Sequence, residues 1–125
     1  MRISLIVTLT AALVTSVAVA QTAPTKIGDS AKGKVLTSNN GMTLYVFDRD
    51  ADGKSACNAA CTGVWPPLAA AASANATGDY TIVARDDGTK QWAYKKRPLY
   101  NWKNDQKPGD IGGDGVGGVW HIAQP

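Results

Sequence analysis

Glutamate is absent from this sequence of 125 residues, histidine occurs once and cysteine only twice. All ten acidic residues are aspartate. These counts exclude a catalytic glutamate and any metal site built on two or more histidines. Two cysteines are also too few for a miniprotein held together by disulfides. Charged residues make up 18% of the chain and hydrophobic residues 44%, a balance that excludes an intrinsically disordered protein. The formal net charge is +3. The one dense basic cluster, Lys95-Lys96-Arg97, falls in a turn and reads as a solvated tip. No nucleic-acid partner follows from so mild a charge.

What the chain does contain begins with an export signal. Met1-Arg2 gives a short positive start, Ile3 to Val19 is apolar, and Ala18-Val19-Ala20 supplies a small-x-small cleavage pattern before Gln21. Residues 1–20 are therefore expected to be removed on export, leaving no stable membrane insertion and a periplasmic or secreted location. Residues 21–32 read as a polar, flexible leader. The expected domain spans residues 33–125.

Within that domain the sequence repeats. Leu44-Tyr45-Val46-Phe47-Asp48-Arg49-Asp50 aligns with Leu99-Tyr100-Asn101-Trp102-Lys103-Asn104-Asp105, and Gly63-Val64-Trp65 with Gly118-Val119-Trp120, all at one offset of 55. Two blocks at one offset indicate a duplicated unit, with halves of about 33–68 and 80–123. The Ala-rich stretch from Ala69 to Gly78 joins them. Asn40-Gly41 and Asp86-Asp87-Gly88 are hairpin signals, flanked by strand-like runs 34–37, 42–47, 80–85 and 89–94. Further strands are expected over 99–102 and 119–123, and a short helical turn near the cysteines. The fold class is thus mainly β, a small antiparallel fold of two related halves. In both halves the face carrying Tyr45 and Phe47, or Tyr100 and Trp102, stays aromatic and is expected to be core. The face carrying Val46 and Asn101 changes polarity and is expected at the surface.

These motifs resemble a known family. Tyr45-x-Phe47-x-x-Asp50 and Tyr100-x-Trp102-x-x-Asp105 share the pattern Tyr-x-aromatic-x-x-Asp. With Cys57-x-x-x-Cys61, Trp65-Pro66-Pro67-Leu68, Arg97-Pro98-Leu99-Tyr100 and Gly115 to Trp120, they are similar to a bacterial secreted-repeat family described as predicted lipoproteins. The resemblance covers about residues 33–123 and implies export, a repeat and a bacterial origin, with no settled biochemical role. The chain departs from a lipoprotein pattern in one respect: its first cysteine is Cys57, so no lipid-attachment cysteine follows the apolar run.

Each candidate site has a functional and a structural reading. Cys57 and Cys61 suit a disulfide in an oxidising compartment, or a soft copper site completed by Met42 or His121. Asp48, Asp50 and Asp52 open a D-x-D-x-D-G run like a calcium loop, but Ala59 occupies the position of its closing carboxylate. The plainer reading is a polar turn. Asp50 and Asp105 are either a carboxylate pair in one cleft or acceptors for their own turns. His121 is the only candidate for a histidine base, and no serine sits in a nucleophile elbow. Trp65, Trp102 and Trp120 are expected in the core. Trp92 has no partner in the repeat and is the expected exposed aromatic, suited to stacking on a glycan. Together these readings point to an exported, non-catalytic binding or structural module of the envelope, with a glycan or envelope protein as partner. The alternatives are a metal-binding protein and an envelope enzyme using His121 and aspartates.

Overall fold

The computed structural model describes residues 4–13 and 23–125. The expected signal peptide therefore lies partly outside the described residues, its cleavage pattern at 18–20 included. Residues 4–13 form neither helix nor strand, and among the described residues no helix is long and apolar enough to cross a membrane.

The domain is mainly β and antiparallel, as its sequence suggests. Its elements are β1 (Lys26–Ser30), β2 (Gly33–Thr37), β3 (Tyr45–Phe47), a one-turn helix α1 (Ala60–Val64), β4 (Ala69–Ala70), β5 (Tyr80–Ala84), β6 (Lys90–Tyr94), β7 (Arg97–Pro98) and β8 (Trp120–Ile122), with a short 3-10 turn at Val116–Gly118. β1 and β2 form one hairpin. β3 pairs with β8. β6 pairs with β5 along one edge and with β4 and β7 along the other. The structure corrects the leader boundary. Lys26–Ser30 is a strand in register with Gly33–Thr37, the two joined by the two-residue turn Ala31-Lys32.

The repeat is visible in the backbone bonds. Tyr45 and Tyr100 face each other and exchange both N–H to C=O bonds, at 2.8 and 3.0 Å. On the outer side of Tyr45 lies β8, from the second half. On the outer side of Tyr100 lies the 64–67 segment, from the first half: Lys103 N–H donates to the Val64 carbonyl, as Asp48 N–H donates to that of Val119. Each half's Trp segment thus lies on the other half's Tyr segment. A pseudo-twofold axis passes between the two tyrosines.

This central layer is covered on both faces. One face buries Leu36, Leu44, Val46, Leu99 and Ala123; the other buries Tyr45, Cys57, Trp65, Tyr100 and Trp120. The aromatic face is core at Tyr45 and Tyr100, as expected, while Phe47 and Trp102 are only partly buried against it. The Val46 face is not surface: Val46 is only 6% exposed, because the β1–β2 and β5–β6 hairpins fold over it.

Trp92 is a second correction. It is buried at 8% exposure and packs edge-on against Tyr80. The Leu36 and Trp92 N–H groups bond the equivalent carbonyls of Ala123 and Leu68, so Trp92 is the counterpart of Leu36. An ungapped offset hides this match, because the two halves differ by one residue in each hairpin turn. Nor does 99–102 form a regular strand. Arg97–Pro98 is the paired segment, and beyond it the chain is held by single bridges at Tyr100.

Candidate functional site

The motif residues meet at the pseudo-axis. The Tyr45 hydroxyl donates to Asp105 Oδ2 at 2.5 Å, and the Tyr100 hydroxyl donates to Asp50 Oδ2 at 2.7 Å. Each tyrosine therefore reaches the aspartate of the opposite repeat. The aspartates are placed by matching turns, in which Asp50 N–H bonds the Phe47 carbonyl and Asp105 N–H that of Trp102. Their other oxygens accept from the following loops: Asp50 Oδ1 from Ala56 N–H, Asp105 Oδ1 from Gly112 N–H. The Tyr-x-aromatic-x-x-Asp spacing thus carries both partners of a reciprocal clasp. Asp50 and Asp105 face separate tyrosines and do not share a cleft with His121.

Burial shapes the proton affinities here. It lifts the Tyr100 phenol to about 12, reinforced by the bond to Asp50 and opposed by that from Ser55. The Tyr45 phenol is raised further, by burial first and by Asp105 second. Burial also lifts the Asp50 carboxyl above the ordinary range, against the hydrogen bonds from Ala56 and Tyr100. From Tyr100 the polar chain continues inward. Ser55 contacts the hydroxyl at 2.6 Å, and the buried Arg85 guanidinium donates to Ser55, Gln91 and the Cys57 carbonyl.

Between the clasps lies a column of rings. Trp65 and Trp120 stack at 3.7 Å between centroids, 4° from parallel. Phe47 extends the stack beyond Trp120 and Trp102 extends it beyond Trp65, while Tyr45 and Tyr100 meet Trp65 and Trp120 edge-on. Gly112 and Gly113 fit beneath: a Cβ on Gly113 would stand 2.9 Å from both Tyr45 and Trp65, and one on Gly112 2.6 Å from Trp102. The glycines here thus act as a packing device beneath the rings.

The remaining candidates separate. Cys57 and Cys61 form a disulfide, so neither offers the thiolate that a copper site at this pair needs. Asp48 turns to His121 Nε2 at 2.6 Å and Arg97 at 3.5 Å, Asp50 turns inward to Tyr100, and Asp52 lies exposed on the loop. The calcium-loop residues therefore do not converge, and among the described residues no group of three His, Cys, Asp or Glu side chains is placed to hold a metal.

One groove adjoins the Asp48–His121 pair. Of about 210 Å³, it is floored by Val46, Ile122 and Ala123 and rimmed by Tyr94, Lys95, Arg97 and Gln124. Its rim includes strained backbone: Lys95 and Lys96 both stand at positive φ, 48° and 67°, in the two-residue turn of the β6–β7 hairpin. Such turns favour Asn and Gly. As its sequence suggests, the Lys95-Lys96-Arg97 cluster is an exposed turn; its left-handed backbone is what the structure adds.

The fold and the clasp define a two-repeat β module whose halves interlock through their motif residues. The family profile for a secreted repeat of unknown function matches twice, over residues 26–69 and 81–124, and the chain belongs to that family. The two matches are offset by 55 residues at both ends, the spacing of the tyrosines and aspartates. No curated protein and no solved structure matches the chain.

Proposed function

We propose that this chain is an exported, non-catalytic binding module of the bacterial envelope, and that its ligand is a small organic anion with an apolar body, seated in the groove between the β6–β7 tip and β8. The observation that carries this reading is the strained lysine pair. Two adjacent lysines in the left-handed region each cost on the order of 1 kcal/mol or more, and strain of that kind gathers at functional positions. Here it sets cationic Lys95 beside Arg97 over an apolar floor, the complement of a carboxylate on a hydrocarbon or aromatic body. The duplicated Tyr and Asp groups are turned inward to one another, which supports a binding role over a catalytic one.

The test is an amide-resonance titration of the chain with benzoate, with benzyl alcohol as the neutral control. Benzoate alone should shift Val46, Lys95, Arg97, Ile122 and Ala123, and R97E should abolish the response. Equal responses to both probes, or shifts that avoid the groove, would overturn the reading.

A further inference from the structure

Stacked tryptophans connected to hydrogen-bonded tyrosines do more than fill space. Trp102 is half-buried at one end of the column and within reach of solvent. Trp65 follows at 5.7 Å and Trp120 at a further 3.7 Å, both buried. Tyr45 lies 5.4 Å from Trp65, and Tyr100 lies 5.1 Å from Trp120. Each phenol is fully buried and already donates its proton to a carboxylate, within the distance that proton transfer requires. Phe47, at the other end, is too hard to oxidise to take part. The chain thus holds three indoles in van der Waals sequence, flanked by two phenols with fixed proton acceptors.

We propose that this column is a one-electron relay: a high-potential one-electron oxidant, such as a peroxide-derived oxyl radical, is reduced at Trp102, and the oxidising equivalent comes to rest on Tyr45 or Tyr100. The oxidant takes one electron from the Trp102 indole and leaves an indole radical cation. That cation is refilled from Trp65, and Trp65 from Trp120 or directly from Tyr45. The phenol supplies the last electron and in the same step gives its proton to the carboxylate, Asp105 for Tyr45 or Asp50 for Tyr100. The products are the reduced oxidant, a neutral tyrosyl radical and a protonated aspartate, and the indoles are restored. A one-electron reductant from solution returns the phenol as the proton moves back. The activity rests on the buried column alone and is independent of what the groove binds.

The experiment is flash photo-oxidation of the whole protein with photogenerated ruthenium(III) tris-bipyridine, read by transient absorption and electron paramagnetic resonance. The expected result is decay of an indole radical into a tyrosyl signal. That signal should be lost in Y45F/Y100F, leaving the radical on tryptophan, and should form more slowly in W102F. D105N, which keeps the shape of the carboxylate but cannot take the proton, should remove the Tyr45 share of the signal. A tyrosyl signal that survives in Y45F/Y100F, or that forms at the same rate in W102F, would overturn the relay.

Discussion

Tyr45 and Tyr100 are where one atom decides most. Removing either hydroxyl leaves an aspartate oxygen without its donor. Tyr45→Phe also strands the Gly113 N–H, which donates to that hydroxyl at 3.2 Å. A buried group deprived of its partner costs about 1–3 kcal/mol, so Tyr45→Phe should lower unfolding free energy by that amount in a urea titration. The phenols also set an alkaline limit. A group whose folded pKa is raised contributes stability that is fully present below its unfolded value and is lost as pH climbs through the folded one. For Tyr100 that window runs from 10.0 to about 12. Phenolate absorbance from these two residues should therefore appear together with loss of the circular-dichroism signal, and Y100F should unfold at a higher pH than the parent in relative terms. The sequence displayed both tyrosines and both aspartates as a repeated motif. It did not display that each pair is made between repeats, because a spacing along the chain says nothing about which copy supplies the partner.

At the scale of elements, the two halves build the loop after the aspartate by different means. In the first half the 51–64 loop is braced by the Cys57–Cys61 disulfide and α1. In the second the 106–119 loop is braced by aspartates. Asp110 accepts from Gln106 and Lys107 N–H, and Asp114 from Ile122 N–H and Lys32, whose ammonium holds its carboxyl below the usual range. Glycines let this second loop pass under the rings. Gly113→Ala should cost about 1–3 kcal/mol, since Tyr45 and Trp65 are pinned in the stack and cannot yield. Reducing the disulfide should cost about 2 kcal/mol in the chain-entropy account, read as a fall in melting temperature with dithiothreitol. The β6–β7 turn predicts the opposite sign: K95N/K96G suits its left-handed backbone and should stabilise the fold by about 1 kcal/mol. The same variant should weaken anion binding at the groove. The β5–β6 hairpin was legible from Asp86-Asp87-Gly88, and Asn40-Gly41 marked a turn closed by the Thr37–Thr43 bridge. The β1–β2 hairpin was not legible, because its first strand lies in a polar run that reads as a leader. The burial of Trp92 was not, because a one-residue difference in turn length moves its alignment from Thr37 to Leu36.

For the whole molecule, interlocking means that neither half is a folding unit. The central layer alternates in origin, with the Trp segment of each half lying on the Tyr segment of the other, and both cores draw residues from both halves. A chain of residues 79–125 should accordingly show an unfolded circular-dichroism spectrum and recover β structure only when residues 23–78 are added. The mainly β class, the duplication and the aromatic core were all readable from periodicity and offset. The cross-pairing was not, since tandem repeats folded side by side would have the same sequence pattern. Membership of the secreted-repeat family fits this picture, the two matched segments being the two interlocked halves.

The central claim is that the family motif is a clasp made between repeats, and a pair of double-mutant cycles tests it most directly. Tyr45→Phe combined with Asp105→Ala spans the hydrogen bond across the axis; Tyr45→Phe combined with Asp50→Ala spans the pair within one repeat. The structure predicts a coupling of about 1 kcal/mol or more in the first cycle and additivity within about 0.5 kcal/mol in the second. Coupling confined to the cycle within one repeat, or absent from both, would contradict it.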